Sequence, residues 1–116
     1  MAPGDICLAS FPFGDAPGRK LRHVLLLTAP VGPIPEVLVA YISSVVPSTL
    51  LPTDVLVDPT RPEFQSTNLK TVPLLRLHKL ATIHARSIVR ALGKLDPSHQ
   101  EAVAAMLRQL LGLRAG

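Results

Sequence analysis

The sequence predicts a small α+β domain that is mainly antiparallel β-sheet, and three observations support this. The chain has 116 residues, enough for one hydrophobic core, so we expect a single domain over residues 1–116. Short apolar runs separated by Gly- and Pro-containing turns occupy most of the chain and are typical of strands. Only the C-terminal segment has the spacing of an amphipathic helix.

Two of the predicted strands lie on either side of a turn segment with three prolines, residues 29–36. The β-compatible runs 21–28 and 37–42 predict an antiparallel hairpin around this turn. If the hairpin folds symmetrically about the midpoint between residues 32 and 33, Arg22 faces Ser43 at its open end. A guanidinium and a hydroxyl group would then meet where the strands end.

The remaining segments complete the predicted order of elements. In an extended segment over residues 74–80, Arg76 and His78 would project from one face. Leu75 and Leu77 would project from the other. Residues 81–95 fit neither period and form either a short helical turn with a strand or one irregular helix. The other elements are a strand over Asp5–Phe11, a loop over 12–18, a strand over 53–58 and a surface loop over 59–67.

The C-terminal segment predicts one amphipathic helix. Asp96 or Ser98 can cap its start, Pro97 suits its first turn, and Gly112 is a natural stop. An apolar stripe with helical spacing is expected to pack in the core or against a second copy, and consists of Val103, Met106, Leu107, Leu110 and Leu111.

The distribution of charge indicates an anionic partner. The chain has a net charge of +4, and no Asp or Glu occurs between Phe64 and Leu95. Six cations lie in that stretch: Lys70, Arg76, Lys79, Arg86, Arg90 and Lys94. Such a segment attracts nucleic acid or an acidic protein segment, although a basic face exposed only to solvent is the alternative.

The composition excludes several classes of protein. With 47% hydrophobic and 17% charged residues, the chain is expected to fold. Its apolar runs are far shorter than the roughly 20 residues of a membrane span. Because no secretory signal pattern opens the chain, we expect a cytoplasmic protein. The single Cys7 and four scattered histidines predict a buried thiol and no metal site or cofactor.

Five segments, taken together and in order, carry a family resemblance. Their letters are GDICL (4–8), KLRHVLL (20–26), VAYISS (39–44), LPTDV (51–55) and RLHKLATI (76–83). In this order and spacing they resemble the MazF/PemK/Kid family of toxin endoribonucleases from type II toxin–antitoxin systems.

The resemblance implies a fold, an activity and partners. The fold would be a small SH3-like barrel of bent antiparallel strands with a C-terminal helix, working as a homodimer. The activity would be sequence-selective, metal-independent cleavage of single-stranded RNA by attack of the 2′-hydroxyl, which leaves a 2′,3′-cyclic phosphate and a 5′-hydroxyl. The second partner would be a cognate antitoxin whose acidic C-terminal tail covers the RNA groove.

The same resemblance implies site residues. Arg22 matches the arginine of an Arg-Pro motif and would contact the scissile phosphate, and Ser43 takes a threonine position and would hydrogen-bond the same phosphate. Alternatively, Arg22 is a surface arginine, and Ser43 satisfies backbone groups at a strand end. RNA-binding residues are expected at Arg19, Lys20, His23, Ser44 and Lys79.

Arg76 and His78 match an acid–base pair of the Kid branch in which the histidine is an aspartate. Histidine can exchange a proton near neutral pH, so His78 is either catalytic or a contact to RNA or antitoxin. His23 replaces the family proline after Arg22. This change leaves a second hypothesis, a catalytically inactive barrel that binds nucleic acid or an acidic peptide. A gyrase poison of the CcdB type is disfavoured because the chain has no tryptophan.

Overall fold

The computed structural model describes residues 1–11, 20–57, 61–67 and 74–114. Within these residues the elements are β1 (Asp5–Phe11), β2 (Lys20–Leu26), β3 (Glu36–Ser43), β4 (Asp54–Leu56), β5 (Leu74–His84), β6 (Ile88–Lys94) and α1 (Pro97–Leu110), with 3₁₀ helices over Pro62–Thr67 and Ala85–Ser87. The predicted loop over 12–18 lies outside the described residues, as do Arg19 and Lys70. No helix in the described part is long and apolar enough to span a bilayer.

The six strands form one antiparallel sheet in the order β4-β5-β3-β2-β1-β6. In a flat sheet, β5 and β6 would lie four strand spacings apart, or roughly 19 Å. Yet only the turn Ala85–Ser87 joins them, and the step from His84 to Ile88 can reach at most about 14 Å. The sheet must therefore curl strongly. This curled, mainly β fold with a C-terminal helix confirms the predicted fold class, although no ladder closes the described strands into a complete barrel.

Alternating residues of the strands bury two apolar clusters, one on each face of the sheet. One cluster includes Cys7, Val24, Val39 and Ile83. The other lies beneath α1 and includes Ile6, Leu25, Ala40, Leu75, Leu77 and Val103. Because both faces are buried near the centre of the sheet, polar side chains collect at the strand ends. The buried Cys7 agrees with its predicted role as a small hydrophobe.

The register of the β2–β3 hairpin agrees with the symmetric folding predicted for it. Leu26 pairs with Val39, and the ladder continues outward to His23 and Ile42. The next positions in the same register are Arg22 and Ser43, which are residues of β2 and β3 respectively. The pattern of alternation therefore brings these two residues to the same end and the same face of the hairpin.

Strand β5 contains a large irregularity opposite β3. Ala40 pairs with Leu80, but the next residue, Tyr41, pairs with Arg76. Three residues of β5, numbers 77–79, are thus inserted between consecutive residues of β3. An insertion of this kind bends the strand and changes which side chains share a face. Leu77 turns its amide to the other side and donates a hydrogen bond to the Thr53 carbonyl at 3.0 Å.

Two predictions of loop structure need correction or completion. The surface loop predicted over 59–67 is, in its described part, the 3₁₀ helix Pro62–Thr67, in which Thr67 is buried. For residues 81–95 the sequence left two alternatives. In the structure this stretch continues β5 to His84, makes a 3₁₀ turn and forms β6, so the short turn with a strand is correct and the irregular helix is not.

The C-terminal helix starts and ends close to the predicted positions. Asp96 is the N-cap, since its carboxylate accepts a hydrogen bond from the His99 amide at 2.8 Å. Gly112 has a φ of +70°, which suits the chain reversal after the helix. Val103 is buried, whereas Leu110 and Leu111 of the predicted stripe are exposed. Only the first half of the stripe packs on the sheet.

Gly93 of β6 provides a test of how closely this strand approaches the 3₁₀ helix Pro62–Thr67. A Cβ atom at Gly93 would lie 2.5 Å from the Thr67 carbonyl carbon, and backbone atoms cannot move aside cheaply. Gly93→Ala is expected to lower the free energy of unfolding by about 3 kcal/mol, near the upper end for overpacking. Ala91→Val enlarges an exposed residue of the same strand and should change it by less than about 0.5 kcal/mol. Urea denaturation of both variants measures the difference, and equal midpoints would contradict the close approach.

Candidate functional site

One polar cleft of about 230 Å³ opens where β2, β3 and β5 end. Its lining residues are Arg22, His23, Tyr41, Ile42, Ser43, Arg76 and Lys79. Of the four residues predicted to be catalytic, Arg22, Ser43 and Arg76 line the cleft. Of those predicted to bind RNA, His23 and Lys79 line it. With three permanent cations among its lining residues, the cleft is suited to a phosphate-bearing ligand.

Arg22 and Ser43 belong to the two strands of the hairpin and both line the cleft. Arg22 is an exposed residue near the start of β2 and interacts electrostatically with Tyr41. The Ser43 hydroxyl accepts a hydrogen bond from the Val45 amide at 3.1 Å and lies 3.2 Å from the Val45 carbonyl. This contact with its own backbone is the alternative foreseen for Ser43, and it is exposed to solvent. A ligand oxygen would have to replace the carbonyl as the acceptor of the hydroxyl proton.

Arg76 reaches the cleft from β5 and is held by an ion pair with Asp54. Its Nε donates to Asp54 Oδ1 at 3.0 Å, and one Nη donates to Oδ2 at 3.4 Å. The Asp54 side chain is fully buried, whereas one fifth of the Arg76 side chain is exposed. The two residues are also direct partners in the β4–β5 ladder. The guanidinium is therefore fixed on one side and open on the other.

The Asp54 carboxylate is stabilised in its charged form despite its burial. Burial by itself would raise the pKa of Asp54, but the Leu51 amide and the Arg76 guanidinium outweigh it and lower the pKa below 3.8. The Leu51 amide donates to Asp54 Oδ2 at 2.9 Å. At neutral pH the site thus contains a buried carboxylate beside the cations of the cleft.

Lys79 lines the cleft although it lies three residues after Arg76. In a regular strand, positions three apart project from opposite faces. The inserted residues 77–79 remove this restriction, so both cations contribute to one cleft. Sequence analysis included Lys79 among the RNA-binding residues without this geometric reason.

His78 lies beside the cleft rather than among its lining residues. Its Nδ1 shares a hydrogen bond of 2.8 Å with the Thr53 hydroxyl and lies 4.0 Å from Asp54 Oδ1. Arg76 and His78 thus both turn toward Asp54, in agreement with the face predicted for them. Since Nδ1 is engaged from within, only the Nε2 atom of His78 is left for proton exchange with a ligand. Its catalytic role stays a prediction.

His23 lines the cleft beside Arg22, in the position where the predicted motif has proline. Partial burial lowers the pKa of His23 below its ordinary 6.5, which favours the neutral imidazole. Burial also raises the pKa of the Tyr41 hydroxyl, in spite of the nearby Arg22 guanidinium. His23 and Tyr41 therefore offer neutral polar groups at the wall of a cationic cleft.

Two other predicted RNA-binding residues lie near the cleft without lining it. Lys20 begins β2 two residues before Arg22, and Ser44 follows Ser43 beyond the end of β3; both are exposed. In the part of the chain that the structure describes, no group of three His, Cys, Asp or Glu side chains could hold a metal ion.

Asp54 and Thr53 are site residues that sequence reasoning missed. Both belong to the LPTDV segment (51–55), which carried the family resemblance without any assigned role. Asp54 lies 22 positions before Arg76 in the chain, and no local pattern links the two.

A curled β-sheet with a cationic cleft at its strand ends defines a small protein that is suited to bind an anionic ligand. A family model described as PemK-like, MazF-like toxin of type II toxin-antitoxin system matches residues 2–111. The chain belongs to this toxin family, which confirms the resemblance found in its sequence.

Solved structures agree with this assignment. The Mycobacterium tuberculosis toxin MazF-mt6 is 25% identical, with a TM-score of 0.71 over 96% of this chain and 99% of that one. The MazE-MazF structure from Deinococcus radiodurans is 15% identical, with a TM-score of 0.71 and 98% of each chain covered. An endoribonuclease in complex with its cognate antitoxin from Mycobacterial species is 15% identical, with a TM-score of 0.68 over 100% of this chain and 99% of that one. The two matches at 15% show the fold alone. No curated protein sequence matches the chain.

The Asp54 ion pair predicts a specific loss of stability in acid. Because the pKa of Asp54 is lowered by folding, protons bind the unfolded chain more readily than the folded one. The stabilisation is fully present above the ordinary value of 3.8 and is lost as the pH falls through the lower folded-state value. Urea denaturation between pH 7 and about pH 3 should therefore give a steeper acid decline for wild type than for Asp54→Asn. Parallel curves would remove the ion pair as a source of stability.

Proposed function

We propose that this chain is a sequence-selective, metal-independent endoribonuclease that cleaves single-stranded RNA, the toxin component of a toxin–antitoxin pair. The observation that carries the proposal is the convergence of Arg22, Ser43 and Arg76, from three strands, on one cationic cleft. Membership of the family supports the toxin role, and several solved members are described as endoribonucleases or as MazF toxins.

The chemistry requires little covalent participation by the protein. The substrate's 2′-oxygen attacks the adjacent phosphorus and loses its proton to a base. The bond from phosphorus to the 5′-oxygen breaks, and that oxygen takes a proton from an acid. The products are a 2′,3′-cyclic phosphate and a 5′-hydroxyl. The main task of the site is to stabilise the charge that grows on the phosphorane oxygens.

The lining residues suit that task in different ways. Arg22 and Arg76 offer planar arrays of N–H donors that match phosphate oxygens, whereas Lys79 is a compact charge suited to a neighbouring phosphate. Ser43 can donate a hydrogen bond to the scissile phosphate once its hydroxyl group rotates away from the Val45 carbonyl, to which it now donates. His78, through Nε2, and His23 are the candidate groups for proton exchange.

The same cleft accounts for inhibition by an antitoxin. A tail rich in Asp and Glu would compete with RNA for the same cations, because both ligands are anionic. The endoribonuclease from Mycobacterial species was solved with its cognate antitoxin, which supports such a partner here. We propose that the toxin acts as a homodimer in the cytoplasm.

A second candidate function is binding without cleavage. The Ser43 hydroxyl already has backbone partners, and His23 stands in place of the family proline, so the phosphate contacts of an active relative need not all form. This alternative predicts RNA affinity that falls steeply with salt, and no cleavage products at any protein concentration.

Incubation with a long, mixed-sequence single-stranded RNA in EDTA separates the two functions. We expect discrete cuts with cyclic phosphate and 5′-hydroxyl ends. In Arg22→Ala, the rate is expected to fall at least about 100-fold because a donor to the phosphorane is lost. Arg108→Ala removes the same charge from α1 and should cleave like wild type. Full activity in Arg22→Ala would remove Arg22 from the mechanism, and intact RNA with wild type would favour the binding function.

A further inference from the structure

The Asp54–Arg76 pair occupies one edge of the guanidinium, while Arg76 also lines the cleft. We propose that Asp54 is a positioning residue, which turns the Arg76 guanidinium so that its outer edge faces the scissile phosphate. This inference rests on the proposed endoribonuclease function and adds to it a residue that touches no RNA.

The N–H groups of Arg76 that Asp54 binds determine which edge of the guanidinium faces the cleft. A guanidinium carries five N–H groups in one plane. Asp54 takes the Nε–H and one N–H of a terminal nitrogen, at 3.0 and 3.4 Å. Two of the three remaining N–H groups lie on the edge formed by the two terminal nitrogens, turned away from Asp54. Since Arg76 also lines the cleft, this edge is the one available to a phosphate there.

Asp54 is itself held firmly enough to act as a fixed reference. Its side chain is fully buried, its Oδ2 accepts the Leu51 amide at 2.9 Å, and its backbone pairs with Arg76 in the ladder. A long arginine side chain otherwise samples many rotamers, and ordering it costs conformational entropy. Because Asp54 holds Arg76, this side chain is already ordered in the free protein, before RNA binds.

Charge and position predict opposite effects of removing the carboxylate. A negative charge beside the cleft weakens the attraction of RNA, so its loss by itself should tighten binding. Loss of orientation should instead slow the chemical step. A variant that loses turnover while its KM is unchanged or lower therefore reports positioning, since a general structural defect would not improve binding.

The experiment is a double-mutant cycle with Asp54→Asn and Arg76→Met. Its substrate is a fluorophore–quencher RNA oligonucleotide that carries a site mapped from wild-type cleavage of long RNA. In the wild-type background, we expect Asp54→Asn to lower kcat by about 10- to 100-fold without raising KM. In the Arg76→Met background, the same change should alter kcat less than about twofold, because the positioned group is gone. Glu36→Gln removes an exposed carboxylate at the opposite end of β3 and should keep wild-type kcat.

The outcomes separate the two proposals. Normal kcat in folded Asp54→Asn, or an equal loss in both backgrounds, would overturn the positioning role while leaving the endoribonuclease function intact. Absence of cleavage by wild type would overturn both. If circular dichroism shows that Asp54→Asn does not fold, Asp54→Glu keeps the charge but displaces the guanidinium by one methylene. The same loss of kcat is then expected, and wild-type turnover in that variant would again overturn the role.

Discussion

The change of pairing between β3 and β5 at Ala40 and Tyr41 is the constraint on which both the core and the cleft depend. The three inserted residues allow Leu77 to enter the core while Arg76 and Lys79 reach the same cleft. They also direct the Leu77 amide toward Thr53, at the start of β4. A regular strand would place one of the two cations on the opposite face. Bulges next to active sites commonly re-aim side chains in this way.

The electrostatics of the site combine a cationic cleft with one buried carboxylate. Burying Asp54 costs free energy, and this cost is offset only because a guanidinium and a backbone amide surround it. Compared with an apolar pair of similar volume, such a pair adds little net stability, but it defines an orientation. For the proposed binding of single-stranded RNA, a fixed donor array is a reason to keep a charged pair in place of an apolar one.

The hairpin end differs in character from the β5 side of the cleft. Arg22 is exposed near the start of β2, and the Ser43 hydroxyl accepts a hydrogen bond from the Val45 amide two residues further along the chain. His23 adds a neutral imidazole where a proline would have stiffened the backbone. The cleft thus combines Arg76, which is held by its ion pair with Asp54, with residues from the open end of the hairpin.

The sequence by itself determined the hairpin and its consequences. Strand alternation determines which side chains share a face, and the position of the turn sets the register that brings Arg22 beside Ser43. Only the tertiary structure decided the partners of Arg76 and the direction of Lys79. Both depend on a bulge and on an ion pair between residues 22 positions apart, and neither a period nor a propensity encodes contacts of that range. Local patterns specify strands, whereas the packing of a curled sheet selects which strand ends meet.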